Sequence, residues 1–243
     1  MFMKTVRVTL WMYAVALRRS LEALSKNWIV SFAPFAYGFI LSATVAIAAP
    51  LGLIGGLILG LVSQACVSSG LYLIENIVRM GKTNFDDFVK GFSVYLWELV
   101  RIAFILWIPL RIVSMALSGV PNGALILLFI QIALYVLLNP VPEFIYQTRA
   151  SGIELLGASY NFIVENWIEW FVPNIALPLL AYFLLNLLSS LALSLPGFAH
   201  YFLVTFGLGL CLTYILVLRG FLFAELNGTT RRSRAYRYDA RQD

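Results

Sequence analysis

The chain has 243 residues, of which 61% are hydrophobic and 12% charged, with a formal net charge of +5 and a mean hydropathy of +0.86. An ordinary soluble domain carries roughly 25% charged residues, and a fold of this size has too little interior to hide so much apolar surface from water. A water-soluble enzyme or binding module is excluded; the composition is that of a polytopic membrane protein.

Residues 4–26 mix Val, Leu, Trp and Ala with Lys4, Arg7, Arg18, Arg19 and Lys26. This is too charged to span a bilayer and too apolar to be solvated, which predicts an amphipathic helix lying in the membrane interface. Arg7 inside the first apolar stretch, and Arg18 and Arg19 where small residues would be needed, argue against a cleaved signal peptide. A first span is expected from Trp28 to Ala48, turning at Ala49-Pro50-Leu51-Gly52, and a second from there to Ile77. Residues 83–98 form another mixed segment, with Phe85, Phe88, Phe92 and Leu96 at helical spacing, leading into span three, Leu99 to Leu117. After a turn at residues 119–123, span four runs to Tyr146. Residues 151–170 repeat the amphipathic pattern, span five covers Phe171 to Leu193, and span six runs from His200 to Phe223. Cys66 and Cys211 fall in apolar segments and read as buried free thiols.

Spans of about 20 residues fit a hydrocarbon core of about 30 Å. The three tight turns carry no Lys, Arg, Asp or Glu, whereas the opposite ends carry Arg79, Lys82, Lys90, Arg149 and the arginines at both ends of the sequence. Basic residues stay on the cytoplasmic side, so both termini and all amphipathic segments are expected there.

The segments also resemble one another. Asn27-Trp28-Ile29-Val30-Ser31-Phe32-Ala33-Pro34 matches Asn166-Trp167-Ile168-Glu169-Trp170-Phe171-Val172-Pro173 at five of eight positions. Trp97 stands between them, and turn prolines recur at Pro50, Pro121 and Pro196. The expected fold is therefore all-α, a single membrane domain over 1–243. It has six transmembrane helices as three hairpins, each preceded by a cytoplasmic-side interfacial helix, in pseudo-repeats of about 70 residues covering 4–80, 83–148 and 151–226, followed by a basic tail, 227–243. Trp28, Trp97 and Trp167 are expected at one depth. Three like-oriented units exclude the inverted-repeat transporter plan.

Within the first hairpin, Gly52, Gly56, Gly60, Gln64 and Ser68 recur every fourth residue, matched by Gly38, Ser42 and Ala46. Small residues in one stripe let helix backbones approach in lipid, so these positions are expected at a helix–helix contact. Arg111 is the one charged side chain deep in a span, about 10 Å from the non-cytoplasmic end at 1.5 Å per residue. Gln131, and Asn186 with Ser189 and Ser190, reach similar depth. An intramembrane cation among neutral polar groups suits an anionic visitor such as a phospholipid headgroup, though an arginine near the surface also snorkels. In the tail, Arg231, Arg232, Arg234, Arg237 and Arg241 alternate with Tyr236 and Tyr238, a pattern that attracts anionic lipid at about 1 kcal/mol per basic residue. Asp86, Asp87, Glu165 and Glu169 lie on charged interfacial segments and are expected to be solvated. No catalytic, cofactor or metal site is expected: His200 is the lone histidine, and a metal needs several ligands.

The Asn-Trp-Ile segments, the interfacial-helix-plus-hairpin layout and the Phe221-Leu222-Phe223-Ala224-Glu225-Leu226 ending resemble a group of bacterial six-span proteins. That group includes the membrane domain of some glycerophosphodiester phosphodiesterases. The resemblance implies a six-span layout and, with no phosphodiesterase domain here, no activity. The expected function is a non-enzymatic membrane scaffold or complex subunit that interacts with lipids, with membrane lipids and a protein as partners and no nucleic acid. The alternative is a passive or partner-driven transporter, or lipid-translocating protein, lined by Arg111, Gln131 and Asn186.

Overall fold

The computed structural model describes residues 2–240, with side chains from residue 6 to residue 240. All regular structure among the described residues is helical: α1 (Phe2–Lys26), α2 (Ala33–Ala48), α3 (Gly52–Met80), α4 (Phe85–Val94), α5 (Leu96–Leu117), α6 (Gly123–Leu137), α7 (Val141–Gln147), α8 (Gly152–Leu191), α9 (Gly197–Leu226) and α10 (Arg231–Asp239). Among the described residues, five stretches are long and apolar enough to cross a membrane: Trp28–Met80, Phe85–Leu117, Gly123–Gln147, Gly152–Ser194 and Gly197–Leu226. Many of their apolar side chains point outward, Leu53 and Phe198 with more than four fifths of their surface exposed. This is the architecture of a helical membrane protein, whose outer surface is solvated by hydrocarbon. The expected count of six spans depends on a break in the first stretch, the 3-10 turn Ala49–Leu51, after which Gly52 takes φ +54. Alone, α2 has 16 residues, about 24 Å, and reaches the thickness of a hydrocarbon core only together with the preceding 3-10 turn Trp28–Phe32.

The helix is interrupted at each of the three tryptophan junctions. Asn27 (φ −125, ψ 27), Tyr95 (φ −110, ψ 1) and Asn166 (φ −126, ψ 18) leave the helical basin in the same way. The side-chain amide of Asn27 donates to the Ala23 carbonyl at 2.9 Å and that of Asn166 to the Phe162 carbonyl at 3.2 Å, each four residues back. Such bonds offer the backbone an alternative to the helix ladder and favour a bend.

The chain divides into two compact units. The first comprises residues up to Ala43, Leu73–Phe85 and residues from Ile168 onward. Here α1 buries Val8, Met12, Ala16, Ser20 and Ala23, one helical face, and packs on α9 and α10. The last turns of α9 supply an apolar surface at Val217, Leu218 and Leu222, and α1 packs on α9. Asn27 also donates to the Gly81 carbonyl at 3.0 Å and accepts from the Thr83 N–H at 3.0 Å, fixing the end of α1 to the turn after α3. Since Arg19 lies at Glu225 and the Ser31 carbonyl lies where a Cβ on Gly209 would stand, α1 and the turn after it run antiparallel to α9. Trp170 instead packs on Phe223, with ring centroids 6.3 Å apart. The matched segments therefore meet α9 fourteen residues apart, about 21 Å, and a common depth does not hold between them.

The second unit comprises Thr44–Tyr72 and Asp86–Trp167. In it α4 lies close on α3 because a Cβ at Gly91 would collide with the Ser69 backbone. Ser68 donates to the Gly91 carbonyl at 2.5 Å and accepts from the Tyr95 N–H at 2.8 Å, while Ser69 donates to the Phe88 carbonyl at 2.8 Å. Helix α6 packs on α5 after a turn in which Asn122 takes φ +60. The expected fourth span to Tyr146 is interrupted: α6 ends at Leu137 and a separate α7 starts at Val141, because Pro140 and Pro142 lack the N–H groups that would continue the ladder.

The small-residue stripe does not form the expected contact. Gly38, Ser42, Ala46, Gly52, Gly56 and Gly60 are exposed and Gln64 is half-buried, and a Cβ on any of those four glycines would meet open space. The close approach is at Gly55, whose missing side chain makes room for the Ala48 carbonyl. The reversal at Gly52 turns Gly55, about 100° around the helix from Gly56, toward α2. Of that stripe, Ser68 alone is buried, and it serves α4. The thiols are both free, Cys66 buried and Cys211 half-buried.

Candidate functional site

The basic tail is partly folded. Gly228 takes φ +68, a conformation glycine enters without steric cost, and reverses the chain after α9. Thr230 then caps α10: its hydroxyl accepts from the Ser233 N–H at 3.2 Å, and the Ser233 hydroxyl accepts from the Thr230 N–H at 3.1 Å. This reciprocal pair satisfies two N–H groups that a helix start leaves open. Nine residues are too few for an isolated helix in water, so α10 depends on its contacts.

Those contacts are ionic and follow helix spacing. Arg231, Arg234 and Arg237 recur every third residue, on one side of α10. Arg231 forks onto both carboxylate oxygens of Glu169, Nε to Oε1 at 2.7 Å and Nη2 to Oε2 at 3.1 Å, the bidentate geometry in which a guanidinium binds a carboxylate best. Arg234 Nη2 lies 4.0 Å from the same Oε1. Arg237 reaches Glu225 at 3.2 Å, and Glu225 also receives Arg19 of α1 at 3.5 Å. Tyr238 closes on Trp11 edge to face at 5.7 Å. Beneath this layer Arg219 lies 5.0 Å over the ring of the fully buried Trp170, a cation–π contact. Two glutamates, one where the charge-free part of α8 begins and one at the end of α9, thus clasp α10 and α1 to the body.

Glu169 is 4% exposed, so the expectation of a solvated carboxylate is corrected: burial opposes its ionisation, but the Arg231 hydrogen bond and the Arg231 and Arg234 charges outweigh it and hold the carboxyl below its ordinary range. The same pairing raises the Arg231 guanidinium, whereas burial lowers Arg234. Tyr13 donates to the Glu169 backbone carbonyl at 3.0 Å, and burial together with the Glu169 charge pushes its phenol up to about 12.

A groove of about 380 Å³ opens beside the clasp, walled by Val8 and Met12 of α1, Glu169, and Arg231, Arg232 and Arg234 of α10. Arg232 is exposed and lines this groove without belonging to the Arg231, Arg234, Arg237 series that the glutamates hold. The chain matches no known protein family, no curated protein and no solved structure.

The remaining expected site residues fall in both units. Arg111 and Gln131, in the second unit, are exposed on α5 and α6. Asn186, in the first, is exposed on α8 and donates to the Tyr182 carbonyl of its own helix at 2.8 Å; Ser190 bonds back to the Asn186 carbonyl at 2.8 Å, and Ser189 lies 3.5 Å from His200. Of the tail arginines expected to meet lipid, Arg231, Arg234 and Arg237 are held by glutamates, Arg232 faces outward, and Arg241 lies outside the described residues.

Proposed function

We propose that the chain is a non-enzymatic integral membrane protein, a scaffold or membrane-complex subunit that contacts anionic lipid. In this reading it crosses a bacterial inner membrane six times as three like-oriented hairpins, with α1, α10 and the clasp on the cytoplasmic face. The recurring helix break at Asn27, Tyr95 and Asn166 supports a three-unit plan. The observation that carries the reading is where the charge goes: Glu169 and Glu225 hold three tail arginines in a fixed platform, while Arg111, Gln131 and Asn186 are exposed on their own helices. A fixed charged face suits binding, whereas a translocation path needs polar groups converging inward.

Reconstitution separates the two roles. Proteoliposomes holding a fluorescent phospholipid in one leaflet and an entrapped dye are expected to scramble lipid and leak dye no faster than protein-free vesicles. Scrambling or leakage above that level, abolished by Arg111→Leu, would establish the translocating role instead.

A further inference from the structure

Below the charged groove lies a second one, of about 180 Å³, that presents no polar surface and is lined by Ala16 and Leu17 of α1, Val172 and Ala176 of α8, and Leu218 and Leu222 of α9. The two are stacked. On α1, Met12 walls the upper groove and Ala16 the lower, one turn apart. On α8, Glu169 walls the upper groove, and Val172 and Pro173 the lower. At the seam, Tyr13 lines the lower groove and donates its hydroxyl to the Glu169 carbonyl of the upper.

Following Glu169, α8 carries no charged residue to its end, while Arg18 and Arg19 of α1 and Arg219 of α9 stand next in sequence to the lower groove's Leu17 and Leu218. A basic cleft directly over an apolar one, on the surface of helices with the composition of membrane spans, presents the polarity profile of a phospholipid. An open groove with no polar lining offers nothing to a headgroup or to water, and in a bilayer it is filled by hydrocarbon. In the upper groove Glu169 faces both Arg231 and Arg234, and Arg232 adds a further cation, which outweighs the single Asp239 at its rim. A soluble phosphate would use only the upper half.

We propose that the two grooves form one site for an anionic phospholipid, its headgroup phosphate at Arg232 on the α10 side and an acyl chain along Ala16, Val172, Ala176 and Leu218. The inference deepens the lipid-contacting part of the proposed function and is independent of the scaffold role.

Native mass spectrometry of the full chain, delipidated in nonionic detergent, tests it. One phosphatidylglycerol is expected to be retained, and phosphatidylcholine with the same acyl chains bound at least tenfold more weakly. Excess inorganic phosphate is not expected to displace the lipid. Arg232→Glu changes an exposed residue and is expected to weaken phosphatidylglycerol at least tenfold; Ala176→Phe, also at an exposed position, fills the lower groove and is expected to weaken it at least fivefold. Equal retention of the two lipids, displacement by phosphate, or an unchanged affinity in either variant would overturn the proposal. Lipid retention accompanied by flux in proteoliposomes would remove the scaffold role and leave this site standing; neither flux nor retention would do the reverse.

Discussion

Replacing Glu169 with Ala is expected to lower the melting temperature by roughly 10 °C and to open α10 to protease. The mutation deletes the carboxylate that Arg231 grips and Arg234 approaches. The Arg234 side chain is only 7% exposed and a guanidinium does not deprotonate to escape burial, so its charge loses an anionic neighbour where water cannot replace it. Breaking one half of a buried pair in this way costs about 3–5 kcal/mol. The half-exposed Arg231 adds little to that, because water screens it. Once unclasped, α10 has no independent means of remaining helical, and limited trypsin digestion is expected to cut after Arg231 and Arg234, positions protected in the parent chain. Glu165→Ala, at an exposed position four residues earlier, is the matched control and is expected to change neither reading. The clasp also has a defined pH response. Because the folded Glu169 carboxyl titrates below its ordinary value, its contribution to stability is fully present above the ordinary glutamate range and is lost as pH falls through the lowered folded value. The melting-temperature difference between the parent chain and Glu169→Ala should therefore be full near neutral pH and should close only in acid.

Gly209→Ala is expected to be nearly as damaging, although it adds a single methyl. That methyl would overlap the carbonyl oxygen and carbon of Ser31, and a backbone carbonyl cannot swing aside as a side-chain tip can. Either α9 or the turn Trp28–Phe32 must shift, and the packing of Phe32 on Phe206, with centroids 4.8 Å apart, shifts with it. Overpacking of this kind costs about 1–3 kcal/mol, a fall of several degrees in the melting temperature. Gly60→Ala, where a Cβ meets nothing, is expected to cause none. Thermal unfolding of the two variants side by side distinguishes a glycine required by close approach from one tolerated on a lipid-facing surface.

That pair also shows what was legible in the sequence and what was not. A period of four in Gly52, Gly56 and Gly60 predicts a face but not which neighbour covers it; the one-residue offset to Gly55 depends on the turn at Ala49–Leu51, and Gly209 belongs to no stripe at all. The junction asparagines were readable, since the same local sequence around Asn27 and Asn166 produces the same bend and the same bond four residues back. Their depths were not, because depth along α9 is set by how α1 docks, a long-range contact. In the clasp, arginines at every third position of the tail imply a helix with one basic side, and Thr230 with Ser233 supplies its cap. What hid the pairing was Glu169: it reads as one more acid on a mixed segment until the tail folds back over it. The long apolar helices themselves were plain from composition, save where Pro140 and Pro142 stop α6.

The clasp is tested most directly by a cross-link. With Cys66 and Cys211 replaced, cysteines introduced at Thr9 and Ala235, which line the same groove from α1 and α10, are to be treated with a short bifunctional thiol reagent in native membranes. Rapid, near-complete intramolecular cross-linking that is lost when Glu169→Ala is added is the result predicted. Slow linkage in the parent chain, or linkage that Glu169→Ala leaves unchanged, would contradict an ion pair that holds α10 against α1.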